Sequence, residues 1–219
     1  QGFSIISYNG TGSNGTWPHG LLETPEFVIV KCRNVTQNWA VQHSAYGPSK
    51  YTYLNQPYEA RTTGASAFWN ETPPTSTTVS VGTDNDTNAS ASGRTYIAYC
   101  WHSVPGLQKF GSYTGLNDAN GPFLEFGFRP AILMIKNISS NSTEWTILDN
   151  RRDGYNGGNN ILFPSVNNAE NVTQYGDFVA NGWKFRINSS YVNSTDTFLY
   201  AAWAETPASN LFGGQSNAR

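Results

Sequence analysis

The sequence predicts an all-β protein built from two tandem antiparallel β-sandwich repeats, immunoglobulin-like or jelly-roll-like, with long polar loops. Three observations lead to this prediction. Only 13% of the 219 residues are charged, and the chain is rich in Asn, Ser, Thr and Gly, which favour turns over helices. Its apolar runs have the length of strands and are separated by turn residues. The same order of segments occurs twice along the chain.

The duplication is clearest in a short apolar run at residues 25–31 that recurs at residues 130–136. Both runs begin with proline and end with lysine, and both follow a Ser-Tyr-x-Gly segment. Matching positions lie about a hundred residues apart, which is the size of one small sandwich. An unbroken apolar run of this length is typical of a strand that is covered on both faces. We therefore place this strand at the centre of each repeat.

Four tryptophans support the same alignment. Trp39 and Trp145 follow the two central runs, and Trp101 and Trp203 lie in the last apolar segment of each repeat. Because these residues recur at strand positions, we expect all four to belong to the core. The predicted domains are a first sandwich at residues 1–107, a second sandwich at residues 108–207 and a C-terminal tail at residues 208–219.

The strands of the first repeat differ in their expected burial. Residues 27–30 are wholly apolar, whereas residues 77–81 alternate between polar and apolar side chains, as expected for a half-buried strand. A glycine-rich turn follows the first strand. The predicted strands of this repeat are residues 3–8, 27–30, 37–42, 77–81 and 94–101.

The second repeat shows the same order. In the segment 183–187, apolar residues alternate with Lys184 and Arg186, so one face points to the core and the other to water. The stretch 149–180 lacks such a pattern, and we expect a long loop there with one short helix near residues 169–174. The predicted strands of this repeat are residues 111–115, 131–135, 145–148, 183–187 and 197–203.

Charge and composition exclude several classes of partner. The formal net charge is −2 and no basic run occurs, so the electrostatic pattern of a nucleic-acid-binding protein is absent. The longest apolar runs have strand length, so no membrane insertion is expected. His19, His43 and His102 show no metal-ligand spacing, and the sequence has neither a Gly-x-Ser-x-Gly motif nor a grouped pair of carboxylates. We predict a protein that is not an enzyme and that uses no metal or cofactor.

Cys32 and Cys100 both fall in predicted core strands of the first repeat. The positions that match them in the second repeat are Asn137 and Ala202, so the architecture does not require cysteine. Two interpretations stay open. The cysteines are a pair of buried free thiols, or they form one disulfide between strands in an oxidising compartment.

Trp17 and Trp69 have no counterpart in the second repeat. They are therefore the better candidates for exposed platforms on which sugar rings stack. This pair motivates an alternative function, in which the chain is a carbohydrate-binding or adhesion module that recognises cell-surface glycans.

Several segments resemble a tandem domain found in structural proteins of tailed phages. The resemblance extends over nearly the whole chain and includes both repeats. It implies a β-sandwich fold and a non-enzymatic, extracellular role in virions or tail fibres, structural or adhesive, and it supplies no catalytic residues. The segments that carry it are residues 3–10, 25–31, 68–75, 96–100, 109–115, 121–123, 127–130, 152–156 and 181–185, and the final Ala-Arg.

Asn-x-Ser/Thr triplets, the acceptor pattern for N-linked glycans, occur eleven times. Turn chemistry alone also uses Asn, Ser, Thr and Gly, but triplets fall in matching turns of both repeats. We therefore predict that several of these asparagines are glycosylated. The best candidates are Asn34, Asn88, Asn137, Asn141 and Asn193. The other triplets begin at Asn9, Asn14, Asn70, Asn85, Asn171 and Asn188.

The leading functional hypothesis is a non-enzymatic structural subunit of an extracellular fibre, filament or virion appendage. The expected partners are copies of the same chain, and the expected location is extracellular or on a virion surface. The terminal strand at residues 3–8 can pair with the sheet edge of a neighbouring copy through main-chain hydrogen bonds. The tail has too little apolar content to fold alone, and we expect it to lie along another subunit.

Overall fold

Strands dominate both halves of the chain in the computed structural model, which describes residues 2–90, 93–152 and 157–205. The predicted all-β class is confirmed. The chain divides into two compact units, unit 1 at Gln1–His102 and unit 2 at Ser103–Arg219. The predicted boundary lies a few residues later, after residue 107. No helix in the described ranges is long and apolar enough to cross a membrane.

Unit 1 contains one five-stranded sheet, one two-stranded sheet and a single described short helix. Its elements are β1 (Phe3–Asn9), β2 (Gly15–Pro18), β3 (Phe27–Cys32), β4 (Trp39–His43), β5 (Thr52–Tyr53), α1 (Ala65–Trp69), β6 (Thr78–Val81) and β7 (Thr95–Trp101). The larger sheet has the order β1-β7-β3-β4-β5, with antiparallel neighbours throughout, and β2 pairs with β6 in the smaller sheet.

The core of unit 1 forms where the inner face of the large sheet meets β6 and α1. Val30 and Ala98 from the large sheet and Val81 from β6 are fully buried in this core. The helix contributes Phe68, whose ring stacks on that of Tyr51 at 3.8 Å. Burial of these apolar side chains from two layers is the main source of stability in a sandwich of this size.

Unit 2 contains two four-stranded antiparallel sheets. Its elements are β8 (Gln108–Thr114), β9 (Phe123–Glu125), β10 (Pro130–Asn137), β11 (Thr146–Asp149), β12 (Gly157–Ile161), β13 (Asn171–Val179), β14 (Gly182–Phe185) and β15 (Thr197–Ala204). One sheet has the order β11-β10-β15-β8 and the other has the order β12-β13-β14-β9. Leu133 and Ile135 from the first sheet and Trp183 and Phe185 from the second are all fully buried in one core.

Four strands of each unit correspond in order and in register. β1-β7-β3-β4 in unit 1 matches β8-β15-β10-β11 in unit 2. Trp101 pairs with Phe27 across the central strands of unit 1, and Trp203 pairs with Ile132 at the matching position of unit 2. Among the described residues the units differ in the second sheet, which has two strands in unit 1 and four in unit 2, and in β5, which has no counterpart in unit 2.

Several local expectations were wrong. Residues 169–174 are not helical, because β13 runs from Asn171 to Val179 with alternating exposed and half-buried side chains at its start. Among the four recurring tryptophans, only Trp145 is fully buried, and the other three are half-buried. The predicted tail at residues 208–219 lies outside the described residues.

Candidate functional site

A buried asparagine closes the loop before the last strand of unit 1. The Asn88 side chain has no exposed surface. Its Oδ1 accepts a hydrogen bond from the Thr11 N–H at 3.0 Å, and its Nδ2 donates to the carbonyl oxygens of Ser13 at 2.7 Å and Gly82 at 2.8 Å. These bonds satisfy backbone groups from two loops that have no regular strand partners there.

The matching asparagine of unit 2 makes the same three bonds. Asn193 is also fully buried, its Oδ1 accepts from the Leu116 N–H at 2.8 Å, and its Nδ2 donates to the carbonyl oxygens of Asp118 at 2.8 Å and Ile187 at 2.7 Å. We call each of these arrangements the asparagine lock of its unit. The repeated geometry gives Asn88 and Asn193 a structural role.

Three of the best predicted glycosylation sites are wrong for the folded protein. Asn88 and Asn193 are the two locks, and Asn137 is also fully buried, with Nδ2 donating to the Ser190 carbonyl oxygen at 3.0 Å and to Asp196 Oδ2 at 2.8 Å. A glycan would replace a hydrogen of Nδ2 and would need open space that these side chains lack.

The other triplet asparagines reach the surface to different degrees. Asn34 is exposed, but its Oδ1 accepts from the Thr95 N–H and its Nδ2 donates to the Gly93 carbonyl oxygen, both at 3.1 Å. Asn70 and Asn171 are half-buried, and Asn70 Oδ1 accepts from Asn14 Nδ2 at 2.6 Å. Glycosylation stays a prediction for the exposed residues Asn9, Asn14, Asn34, Asn85, Asn141 and Asn188 and for the two half-buried ones.

The two cysteines are free, buried thiols, so the disulfide alternative is wrong. Cys100 on β7 lies opposite Val28 on β3, four residues along that strand from Cys32. This offset separates the two backbones by about 13 Å, which is well beyond the reach of a disulfide. Burial raises the pKa of the Cys100 thiol to about 12, so the thiol stays neutral at physiological pH.

Neither predicted sugar platform is an open aromatic surface. Trp69 is 1% exposed and belongs to the core of unit 1. Trp17 is half-buried and stacks on Tyr8 with ring centroids 4.9 Å apart, so one of its faces is already covered. The two tryptophans were predicted to be exposed because unit 2 has no matching tryptophan. That absence reflects the different second sheets of the two units and does not indicate exposure.

The described parts of the chain contain no group of three or more His, Cys, Asp or Glu side chains that could hold a metal ion. The charged side chains that do meet form local pairs. Arg129 bonds Glu205 at 3.0 Å, and Arg186 bonds Asp177 at 2.6 Å. Arg152 reaches both Asp149 and Glu170. These pairs hold loops and strands together.

The strongest candidate site is a pocket of about 140 Å³ in unit 1, at the start of β3 and the end of β4. Gln42 lines it and is only 3% exposed, yet neither its Oε1 nor its Nε2 has a hydrogen-bond partner among the described residues. We call this cavity the Gln42 pocket. The full lining is Thr24, Pro25, Glu26, Val28, Gln42, His43, Ser44, Gly47, Pro48, Pro73 and Pro74.

Sequence reasoning placed Gln42 in a strand but did not single it out. The signal that marks it is the repeat itself, because the corresponding residue of unit 2 is Leu148. Val28 pairs with Gln42 in unit 1, and Leu133 pairs with Leu148 at the same register position of unit 2. A buried glutamine at a position where the other repeat has leucine identifies a residue that the fold does not demand.

Comparison with known proteins gives one family. The model of a domain of unknown function, DUF7483, matches residues 1–207. The chain belongs to the DUF7483 family. The match includes the described strands of both units, so the DUF7483 domain in this chain is the tandem pair and not a single sandwich. No curated protein and no solved structure matches the chain.

Proposed function

We propose that this DUF7483 chain is a non-enzymatic structural subunit of an extracellular fibre, filament or virion appendage, and that copies of it assemble through strand β1. The observation that carries the proposal is the exposed terminal strand of unit 1. β1 is the outermost strand of its sheet and, among the described residues, pairs only with β7. Its free edge therefore offers main-chain groups to an incoming strand.

Exposed apolar side chains on β1 favour contact with a second copy over exposure to water. Ile5 is 53% exposed and Phe3 is 37% exposed, and the Phe3 ring stacks on Trp101 at 4.8 Å. No charged side chain lies on β1, although charged residues, especially lysine, are a common protection of edge strands in monomeric proteins. An uncharged apolar edge of this kind favours pairing with a second strand.

The matching strand of unit 2 offers no comparable surface. Gln108 and Phe110 occupy the positions that correspond to Phe3 and Ile5, and each is 4% exposed. The proposed contact therefore involves unit 1. The alternative of a sugar-binding module has lost its aromatic platforms, since Trp69 is buried and Trp17 is covered on one face.

Substitution Ile5→Lys tests the proposal. The wild-type chain is expected to form oligomers or filaments in light scattering after size-exclusion chromatography and in negative-stain micrographs. The variant is expected to be monomeric with an unchanged circular dichroism spectrum, because the lysine lies on the exposed face of the strand. Leu22→Lys is the matched control, since Leu22 is 90% exposed and lies outside every strand, and it should assemble normally.

A monomeric wild-type chain at high concentration would contradict the proposal. Equal assembly of the wild type and the Ile5→Lys variant would show that any oligomer uses another surface.

A further inference from the structure

The Gln42 pocket holds an amide that the fold itself leaves without partners. Gln42 is 3% exposed, and both polar atoms of its side chain lack hydrogen-bond partners within the described chain. Burial of an amide without hydrogen bonds destabilises a folded protein. Such a group therefore needs an explanation, and an ordered water or a bound ligand can supply the missing hydrogen bonds.

The second repeat shows that the fold can be built without burying an unpaired amide at this position. Leu148 occupies the corresponding position of unit 2, opposite Leu133, and both leucines have no exposed surface. The same pair of strands is therefore built without a polar side chain at this register position. A role in ligand recognition accounts for the glutamine of unit 1, whereas the needs of the fold do not.

The lining of the pocket restricts what can enter. Four of its residues are prolines, which have a carbonyl acceptor but no N–H donor. Val28 adds an apolar wall, Glu26 is the acidic residue of the described lining, and His43 is its basic residue, with neither lysine nor arginine among the described residues there. A negatively charged ligand would meet a carboxylate and no permanent cation, so above the range in which an imidazole is protonated the lining favours a neutral ligand with spare N–H groups. The four prolines are Pro25, Pro48, Pro73 and Pro74.

The amide edge of Gln42 defines the group that fits best. On this edge an N–H donor lies beside an oxygen acceptor in one plane. A primary carboxamide presents the complementary pair and forms two hydrogen bonds with it. The N–H and C=O of an N-acetyl group point in opposite directions and match one bond at a time. A volume of about 140 Å³ admits a side-chain end more readily than a sugar ring.

We propose that the Gln42 pocket binds the primary carboxamide of an asparagine or glutamine side chain on a partner polypeptide. Because neither polar atom of Gln42 has open surface in the folded chain, the side chain rotates toward the pocket when the ligand binds. The carboxamide then pairs with Gln42, and its methylene groups contact the proline and valine walls. This inference is independent of assembly through β1, because the pocket lies at the ends of β3 and β4 and β1 contributes no lining residue.

Titration of ¹⁵N-labelled protein with two small probes tests the pocket chemistry. Propionamide is expected to shift the side-chain NH₂ signals of Gln42 in a saturable manner, and propionate, which has the same shape, is expected to cause no saturable shift. A Gly-Asn-Gly peptide should bind at the same site, and a Gly-Asp-Gly peptide should not.

Substitution Gln42→Leu, which copies unit 2, provides the second measurement. Propionamide affinity should fall by about tenfold or more, since two hydrogen bonds are lost, and the melting temperature without ligand should rise because a buried unpaired amide is removed. If the leucine variant does not fold, Gln42→Met keeps the length of the side chain and serves the same purpose. Gln174→Leu, at an exposed position of β13, is the control and should change neither quantity.

Three results would overturn the proposal. One is propionamide binding that is equally strong in the Gln42→Leu or Gln42→Met variant. Another is binding of propionate as strong as that of propionamide. The third is saturable binding of N-acetylglucosamine that exceeds propionamide binding, which would assign the pocket to sugars.

Discussion

Each unit contains the same arrangement of four strands and the same asparagine lock. The units differ at positions that neither the sheet nor the lock depends on. Tyr8 and Tyr113 occupy matching positions, and each donates its hydroxyl to a backbone carbonyl, of Thr87 at 2.6 Å and of Val192 at 2.5 Å. Each of these carbonyls belongs to the residue just before the asparagine lock. These two tyrosines therefore help to close the same loop in both units.

Two matching glycines also lie against the backbone of the locked loop in each unit. A Cβ atom on Gly10 would lie 2.0 Å from the carbonyl oxygen of Ala89, and a Cβ atom on Gly115 would lie 1.9 Å from that of Ser194. Backbone oxygens at these distances leave no room for a side chain, so both units keep glycine. The locked loop and the end of the first strand must approach this closely in each unit.

Positions that differ between the units carry properties of one unit alone. Unit 1 has Gln42 where unit 2 has Leu148, and it has Cys100 where unit 2 has Ala202. Residues at such positions are free to serve a ligand, a partner or nothing beyond packing. The comparison therefore separates the residues that specify the fold from those that can specify function.

The largest expected effect comes from removal of a lock. Asn88→Ala and Asn193→Ala should each lower the free energy of unfolding by about 3 kcal/mol, because three hydrogen bonds are lost and buried backbone groups are left unpaired. Urea denaturation of the full chain measures the loss. Asn188→Ala, at an exposed site, is the control and should change stability by less than about 0.5 kcal/mol. If one of the two alanine substitutions left the free energy of unfolding unchanged, the two locks would not be equivalent.

A smaller effect separates the units at alkaline pH. Burial raises the pKa of the Cys100 thiol from 9.0 to about 12, so between these values the unfolded chain loses a proton that the folded chain keeps. The contribution of Cys100 to stability should therefore fall as the pH rises through this range, by about 1.4 kcal/mol at pH 10 relative to neutral pH. Buried tyrosines whose pKa values are also raised, such as Tyr8 and Tyr113, add to the total loss in both units. Cys100→Ala, the residue of unit 2, should remove the part of the loss that Cys100 causes. An unchanged pH profile in the variant would assign the alkaline loss to other groups.

The smallest effect is expected at acidic pH in unit 2. Hydrogen bonds from Ser194 Oγ at 2.6 Å and from Asn137 Nδ2 at 2.8 Å hold the pKa of Asp196 below its usual range. The carboxylate therefore stabilises the fold at neutral pH, and this stabilisation is lost as the pH falls below about 4. Asp196→Asn should reduce the difference in unfolding free energy between pH 6 and pH 3 by less than about 1 kcal/mol.

Asn188→Ala, at an exposed position without a titratable group, is the control and should leave the acid profile unchanged. A steeper profile in Asp196→Asn than in the wild type would contradict the assigned sign.

The all-β fold could be predicted from the sequence because two independent patterns indicate it, the alternation of side chains along each strand and the duplication of the whole unit. The period-two alternation marks strands, and the duplication places β3 and β10 at equivalent positions. Sequence reasoning missed β13, where the start of the strand carries the polar residues Asn171, Thr173 and Gln174 and no regular apolar alternation. Tertiary pairing with β12 and β14 imposes the strand there, and local propensity does not record such pairing.

The candidate site was harder to predict for a physical reason. An Asn-x-Ser/Thr triplet in a turn specifies a polar side chain but not the direction in which it points. Asn88 and Asn141 both begin such triplets, yet Asn88 is fully buried and Asn141 is exposed. The pocket at Gln42 depends on prolines from three separate loops, whose meeting is a property of the folded chain.

The asparagine locks also affect the kinetics of folding. Each lock joins an N–H to a side chain that lies 77 residues further along the chain. Closing so long a loop is entropically costly and happens only after the intervening strands have assembled. We therefore expect the locks to form after the folding transition state, so that they lower the unfolding rate and leave the folding rate almost unchanged. A low unfolding rate, more than a high equilibrium stability, is the property that would keep a subunit of the proposed fibre or particle folded for a long time.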